Sequence, residues 1–208
     1  MYMMRVLIIG NSEFPKKEII DDLVFNSDKI IACDGAIERC FDASITVDYV
    51  IGDMDSLNNI TISKLLELDI EVKKIDDQNN NDLQKAINFS DDIGAKRIDI
   101  FGVEGGSNQH QFASYWCLME TEIECYIHLS DCIVSTVKSD EVNLSIETGK
   151  QFSIFAVGSC DGVNVTGGKW QLNNEKLHPN SRGLHNVSET EEITISCDNG
   201  TLLVFRSR

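Results

Sequence analysis

The sequence predicts an α/β domain with a mostly parallel sheet, followed by a small all-β sandwich domain. Two observations carry this reading. Over residues 1–125, short apolar runs alternate with segments whose apolar residues recur at helical spacing, and the connections are short. Repeated β-α units of this kind imply a parallel sheet covered by helices on both faces. From about Ile123 the helical pattern stops, and only strand-type runs separated by turn signals remain. The expected domains are therefore 1–125 and 126–208.

Taken in order, Arg5–Gly10 reads as a buried strand, and the segment after Pro15 carries Ile19, Ile20, Leu23 and Val24 on one helical face. Lys29–Cys33 is a second strand, with a helix through Ile37, Cys40 and Phe41. Asp48–Gly52 is the third strand, before a helix over Ile62–Leu68. Ile70–Ile75 is the fourth. Leu83, Ala86, Ile87 and Ile93 then mark a helix closed by Gly94. Arg97–Gly102 is the fifth strand, and Phe112–Met119 the last helix. Beyond it, strands are expected at Ile127–Val137, Val142–Ile146, Phe152–Val157, Val163–Val165, Ile193–Cys197 and Leu202–Phe205. Glu147-Thr-Gly149, Thr166-Gly-Gly168 and Asp198-Asn-Gly200 supply the turns.

The chain has 208 residues, enough to bury a sizeable core. Its net charge of −16 excludes a nucleic-acid surface, which needs a basic stripe. An anionic substrate must instead meet a bound cation or local basic groups and amides. The seven cysteines include no Cys-x-x-Cys pair, and five (Cys33, Cys117, Cys125, Cys132, Cys197) lie in apolar runs, so they read as reduced core thiols rather than a zinc site. The apolar run ending at Gly10 is too short for a signal peptide, and no run approaches a membrane span. The expectation is a cytoplasmic protein with no membrane partner. Asn-x-Ser/Thr matches such as Asn186-Val-Ser188 are then chance products of an Asn-rich chain.

In an open parallel sheet, ligands bind outside the carboxyl ends of the strands. The run Gly52-Asp-Met-Asp-Ser56 lies there, after the apolar Tyr49-Val50-Ile51. Its carboxylates Asp53 and Asp55, spaced i, i+2, share a side of an extended backbone and can converge on a hard cation; the competing reading is a plain turn. The other strand ends give Gly10-Asn11-Ser12, Asp34-Gly35, Asp76–Asp82 and Gly102-Val-Glu-Gly-Gly-Ser-Asn-Gln-His110. Asp82 could alternatively cap the helix it opens. Five successive strand ends that are acidic, amide-rich or glycine-rich point to a metal-assisted phosphate site.

Asp34-Gly35, Gly52–Ser56, Asp77–Asp82 and Gly102–His110 resemble the ordered motifs of the thiamine pyrophosphokinase family. Gly168-Lys-Trp170 and Ser181-Arg-Gly-Leu-His-Asn186 are similar to its thiamine-pocket segments. The resemblance spans nearly the whole chain and implies an α/β catalytic domain, a C-terminal β-sandwich, and a homodimer with active sites at the subunit junction. It departs at four positions. Asn81 replaces a Thr, Ser107 an Arg, Gln109 an Asp, and His185 a Ser. Loss of the Arg removes a fixed cation; Arg182 and Lys169 are candidates to replace it.

The resemblance implies pyrophosphate transfer from ATP to the thiamine hydroxyl, with Mg²⁺ as cofactor and AMP as the second product. Asp53, Asp55 and Asp82 would be the catalytic and metal-binding carboxylates. Asn11, Asp34, Gly35, Ser56, Gln78, Gly102, Gly105 and Gly106 would bind ATP, the glycines admitting backbone amides to the phosphates. Gln109, His110, Trp170, His185 and Asn186 would bind thiamine. Trp170 would stack on its cationic ring, or else serve as core packing; His110 is equally open to a structural role. Three rivals remain: pyrophosphate transfer to another alcohol such as a hydroxymethylpterin, a non-catalytic nucleotide- or thiamine-binding protein, and a metal-dependent phosphohydrolase. The last would want more histidines than His110 near the aspartates.

Overall fold

The computed structural model describes residues 3–54, 57 and 59–208. The chain divides into two compact units, Met1–Ser130 and Asp131–Arg208. In the first, the strands are β1 (Arg5–Ile9), β2 (Lys29–Cys33), β3 (Tyr49–Gly52), β4 (Glu71–Lys74), β5 (Arg97–Phe101) and β6 (Glu124–His128). The helices are α1 (Lys17–Phe25), α2 (Ala36–Asp42), α3 (Asn59–Glu67), α4 (Asp82–Asp92) and α5 (Asn108–Glu120). The strands stand in the order β4-β3-β2-β1-β5-β6, every neighbouring pair parallel. The chain steps outward from β1 to β4, then returns to the other side of β1. The β1/β5 junction is thus a topological switch point.

Burial explains the strand compositions. Val6, Leu7, Ile8 and Ile9 of β1 are wholly buried, as a strand covered on both faces must be. β4, at the edge, reads Glu-Val-Lys-Lys and is largely exposed, which discourages pairing with another chain. Leu7, Ile9, Ala32, Val50 and Phe101 pack with Leu23, Ile37, Cys40 and Leu65 of the helices in one cluster. Each large member contributes roughly 1.5–3 kcal/mol by leaving water.

A buried charge sits in this sheet. Asp99 of β5 is fully buried; Arg5 Nη2 and Arg97 Nε donate to its Oδ2, both at 3.0 Å, and His128 Nε2 lies 2.7 Å from its Oδ1. Burial alone would raise its pKa. The hydrogen bonds with His128 and Arg97 outweigh that and hold the carboxyl well below its ordinary range.

Two expectations for this half change. The run 127–137 is not one strand of an all-β domain: β6 pairs in parallel with β5, Ile98 with Cys125 and Ile100 with Ile127, and so belongs to the first unit. Strand-type residues look alike in parallel and antiparallel settings, so only the pairing separates them. Helix α5 starts at Asn108, earlier than Phe112, because its first turn is polar and carries no apolar periodicity.

The second unit holds β7 (Cys132–Lys138), β8 (Glu141–Ser145), β9 (Gln151–Thr166), β10 (Leu172–Leu177), β11 (Asn186–Val187), β12 (Glu192–Ser196) and β13 (Asn199–Ser207). All its pairings are antiparallel. β9 was expected as two strands. It is one long strand whose first half pairs with β13 and β11, and whose second half pairs with β12 and β10. A strand that switches sheets in this way makes the corner of a sandwich. Phe152, Ile154, Val163 and Val165 of β9 share one core with Val137, Ile193, Ile195, Leu202 and Val204. Strands β10 and β11 were not anticipated; their Asn- and Lys-bearing segments lack the alternation that marks a half-buried strand.

Candidate active site

At the β1/β5 switch point, the carboxyl ends of the strands enclose a cleft of about 350 Å³. Asn11 and Ser12 enter it after β1, Asp34 and Gly35 after β2, Asn81 and Asp82 at the start of α4, Gly102 and Val103 after β5, and His110 from α5. The walls depend on the absence of side chains at two facing positions. A Cβ on Gly10 would stand 2.5 Å from the Gly102 carbonyl oxygen, and one on Gly102, whose φ is +76°, would overlap the Gly10 carbonyl oxygen. The two loops are also tied by Ser12 N–H donating to the Gly102 carbonyl at 2.7 Å, and by Glu13 N–H donating to the Glu104 carbonyl at 2.8 Å.

Asp82 does not cap its helix. Asn81 does so instead: its Oδ1 accepts the Gln84 N–H at 2.8 Å. The Asp82 carboxylate is thereby left to the cleft, where its Oδ1 meets Lys85 Nζ at 3.0 Å. Asp82 and Asp34 both bear on Cys33, whose thiol is pushed far up, first by burial and then by the Asp82 charge. Asn11 Oδ1 accepts from Arg39 Nε at 3.2 Å. Sequence reasoning missed Lys85 and Arg39, which bond to the cleft residues Asp82 and Asn11. The i, i+3 spacing from Asp82 to Lys85 was visible, but the burial of Lys85 was not.

Of the residues expected at ATP and the metal, Asn11, Asp34, Gly35, Asp82 and Gly102 line this cleft. Asp53 stands at the same sheet edge, after β3, outside the cleft's lining residues, and Asp55 and Ser56 lie outside the described residues. Gln78 is exposed in the loop before α4. Gly105 and Gly106 are exposed as well, and side chains there would run into Glu13 and Ser12. Among the described residues, no three His, Cys, Asp or Glu side chains form a cage for a metal. The oxygen-rich donor set, with a thiol held protonated, nonetheless fits a hard ion that takes one or two carboxylates plus phosphate oxygens and waters.

In the second unit, Trp170 and Asn186 line one depression of about 470 Å³, together with Lys169, Arg182 and Leu184. Asn186 is buried; its Oδ1 accepts the Trp170 N–H at 3.0 Å and its Nδ2 donates to the Trp170 carbonyl at 2.7 Å. Trp170 is 56% exposed, so it is not core packing, and Lys169 Nζ stands 4.9 Å from its ring centroid. His185 lines a separate depression with Phe152, Ser153 and Phe205, and its N–H donates to Ser153 Oγ at 3.0 Å. His110 lines the cleft of the first unit, and Gln109 is exposed one residue earlier on α5.

A doubly wound sheet whose switch-point cleft combines carboxylates with close glycine-bearing loops, followed in the chain by a β-sandwich, defines a two-domain protein with a polar, acidic cleft where such sheets bind ligands. The family model described as "Thiamin pyrophosphokinase, catalytic domain" matches residues 20–127, and that described as "Thiamin pyrophosphokinase, vitamin B1 binding domain" matches residues 137–202. The chain belongs to the thiamin pyrophosphokinase family. No curated protein matches the chain. Among solved structures, thiamine pyrophosphokinase from Bacillus subtilis is 19% identical with a TM-score of 0.84, the match covering 98% of each chain. The thiamin pyrophosphokinase of Geobacillus thermodenitrificans is also 19% identical with a TM-score of 0.84, over 99% of this chain and 98% of that one. The Candida albicans enzyme is 14% identical with a TM-score of 0.82, over 99% of this chain and 90% of that one. At such identities these structures establish the shared fold.

Proposed function

We propose that the protein transfers the terminal pyrophosphate of ATP to the hydroxyl of thiamine, giving thiamine diphosphate and AMP. The observation that carries this reading is the switch-point cleft, where Asp82 and Asp34 face loops held close by Gly10 and Gly102. The thiamine oxygen attacks the β-phosphorus, the bond from that phosphorus to the α,β-bridging oxygen breaks, and AMP leaves. Catalysis of this kind is positioning and charge neutralisation.

Asp53, Asp55 and Asp82 would hold Mg²⁺. When bound, that ion offsets the charge on the phosphate oxygens. Asn11, Asp34, Gly35, Ser56 and Gln78 serve the nucleotide, and Gly102, Gly105 and Gly106 shape the loop beside its phosphates. Trp170 receives thiamine, with Asn186 fixing the indole's backbone; His110, Gln109 and His185 are assigned to the same substrate. The homodimer reading draws support from large apolar side chains left in water, Phe112 and Trp116 in one unit and Leu184 in the other. The seven free cysteines suit a reducing, cytoplasmic setting. Among the described residues, no helix is long and apolar enough to cross a membrane.

The ammonium of Lys169 over Trp170 favours a second reading, a neutral stacking alcohol of the hydroxymethylpterin type. AMP release from ATP and Mg²⁺, measured with thiamine, with hydroxymethylpterin and with neither, separates the two. Release that depends on thiamine supports the proposal. Release with the pterin alone, or with neither alcohol, rejects it.

A further inference from the structure

Lysine is almost never buried unless paired. Lys85 is only 5% exposed, and its Nζ meets Asp82 Oδ1 at 3.0 Å. Its backbone is the first turn of α4, since its N–H donates to the Asn81 carbonyl at 3.0 Å, and its ammonium meets a carboxylate that lines the cleft. It also reaches the loop before α4: Asp77 is held below its ordinary range chiefly by the Asn79 amide and the Asn80 side chain, with the Lys85 charge adding to them. Among the described residues, Asp82 Oδ2 accepts no hydrogen bond. One carboxylate oxygen thus carries a resident cation while the other remains available to a second.

We propose that Lys85 is an exchangeable counter-ion. It occupies Asp82 while the cleft is empty, yields the carboxylate to the divalent cation that arrives with the nucleotide, and turns its ammonium toward the phosphates. This rests on the reading of the cleft as a metal-nucleotide site. The physical reason is charge balance. Asp82 and Asp34 line one cleft of a chain whose net charge is −16, and an empty cleft without Lys85 would leave Asp82 uncompensated. With metal and polyphosphate bound, the same ammonium would repel the metal if it stayed and would neutralise phosphate charge if it moved. It therefore supplies a cation in the position-independent sense in which Ser107 fails to: from the helix that carries Asp82 rather than from the loop after β5.

The inference separates from a purely structural ion pair by the sign of one effect. Mn²⁺ binding to the nucleotide-free protein, followed by paramagnetic resonance, should tighten by roughly fivefold or more in Lys85→Met, because a like charge close to the ligand has been removed. ATP affinity, measured in the same variant by calorimetry with Mg²⁺, should weaken by about tenfold or more, the scale of a charge-assisted contact to phosphate. Lys85→Arg should restore both values toward wild type. If Lys85→Met fails to fold, Lys85→Gln, which keeps a hydrogen-bond donor for Asp82 without the charge, carries the same two measurements. Mn²⁺ affinity that is unchanged or lower in the neutral variant overturns the proposal, as does unaltered ATP affinity. Absence of Mn²⁺ binding in both wild type and variant overturns it together with the metal assignment. Thiamine-dependent AMP release by the wild type decides the underlying function independently of either result.

Discussion

Asn186 closes both backbone polar groups of Trp170, accepting its N–H at 3.0 Å and donating to its carbonyl at 2.7 Å. Asn186 Oδ1 also accepts the Val187 N–H at 2.9 Å, so the oxygen is spent within the protein. Its role is therefore to hold an exposed indole. Asn186→Ala should weaken thiamine binding nearly as much as Trp170→Ala, about tenfold, while ATP binding is unchanged. Calorimetric titration of both ligands checks this. Thiamine affinity retained in Asn186→Ala and lost in Trp170→Ala would show that the clamp is dispensable.

The facing glycines at the switch point make a second expectation. Gly10→Ala forces a methyl group to 2.5 Å from the Gly102 carbonyl oxygen, against backbone that cannot rotate away. The loops must part, and the cleft between them with it. We expect ATP affinity to fall by an order of magnitude or more and stability to drop by about 1–3 kcal/mol, the range for overpacking a tight site. Denaturant unfolding and nucleotide titration of the variant measure both.

Asp99 gives a pH dependence. Its folded pKa is depressed, so its contribution to stability is present above the ordinary carboxylate pKa and is lost as pH falls through the folded value. The Asp99 share of wild-type stability should be lost on the acid side of the normal carboxylate range. Asp99→Asn leaves Arg5 and Arg97 without their shared partner and should cost about 3 kcal/mol near neutral pH, with a flatter acid limb. Urea midpoints across pH for the two proteins test this; parallel profiles would contradict it.

Much of the first unit was legible because its signals are local. Apolar runs of strand length, helices with one apolar face and glycine-marked strand ends gave five of the six parallel strands and the face on which the cleft lies. β6 was misplaced, since nothing in Glu124–His128 tells a parallel partner from an antiparallel one. The cleft residues Asn11, Asp34 and Asp82 could be read because position after a strand suffices. Burial could not be read from spacing, which is why Lys85 went unseen and why Asp82 was weighed as a cap that Asn81 provides. His185 lines one depression and Trp170 and Asn186 another, a division that the adjacency of His185 and Asn186 in sequence hides.

The carboxylates themselves can be tested by removing their charge. Asp53 follows β3, so Asp53→Asn should keep the wild-type thermal midpoint within a few degrees, whereas Asp82→Asn leaves the buried Lys85 ammonium without its partner and should also lower the midpoint. AMP production should fall by roughly 100-fold or more, the loss seen when charge stabilisation of a transition state is removed. Near-normal turnover at saturating Mg²⁺ in either variant refutes its assignment.

The proposed function turns on attack at the β-phosphorus with transfer of the β,γ-pyrophosphoryl group, and the fate of that atom tests it most directly. Incubating the protein with thiamine, Mg²⁺ and ATP carrying radiophosphorus at the β position should move the label into thiamine diphosphate and leave the AMP unlabelled. Label retained in a nucleotide product as ADP, or released as inorganic phosphate or pyrophosphate independently of thiamine, would contradict the account.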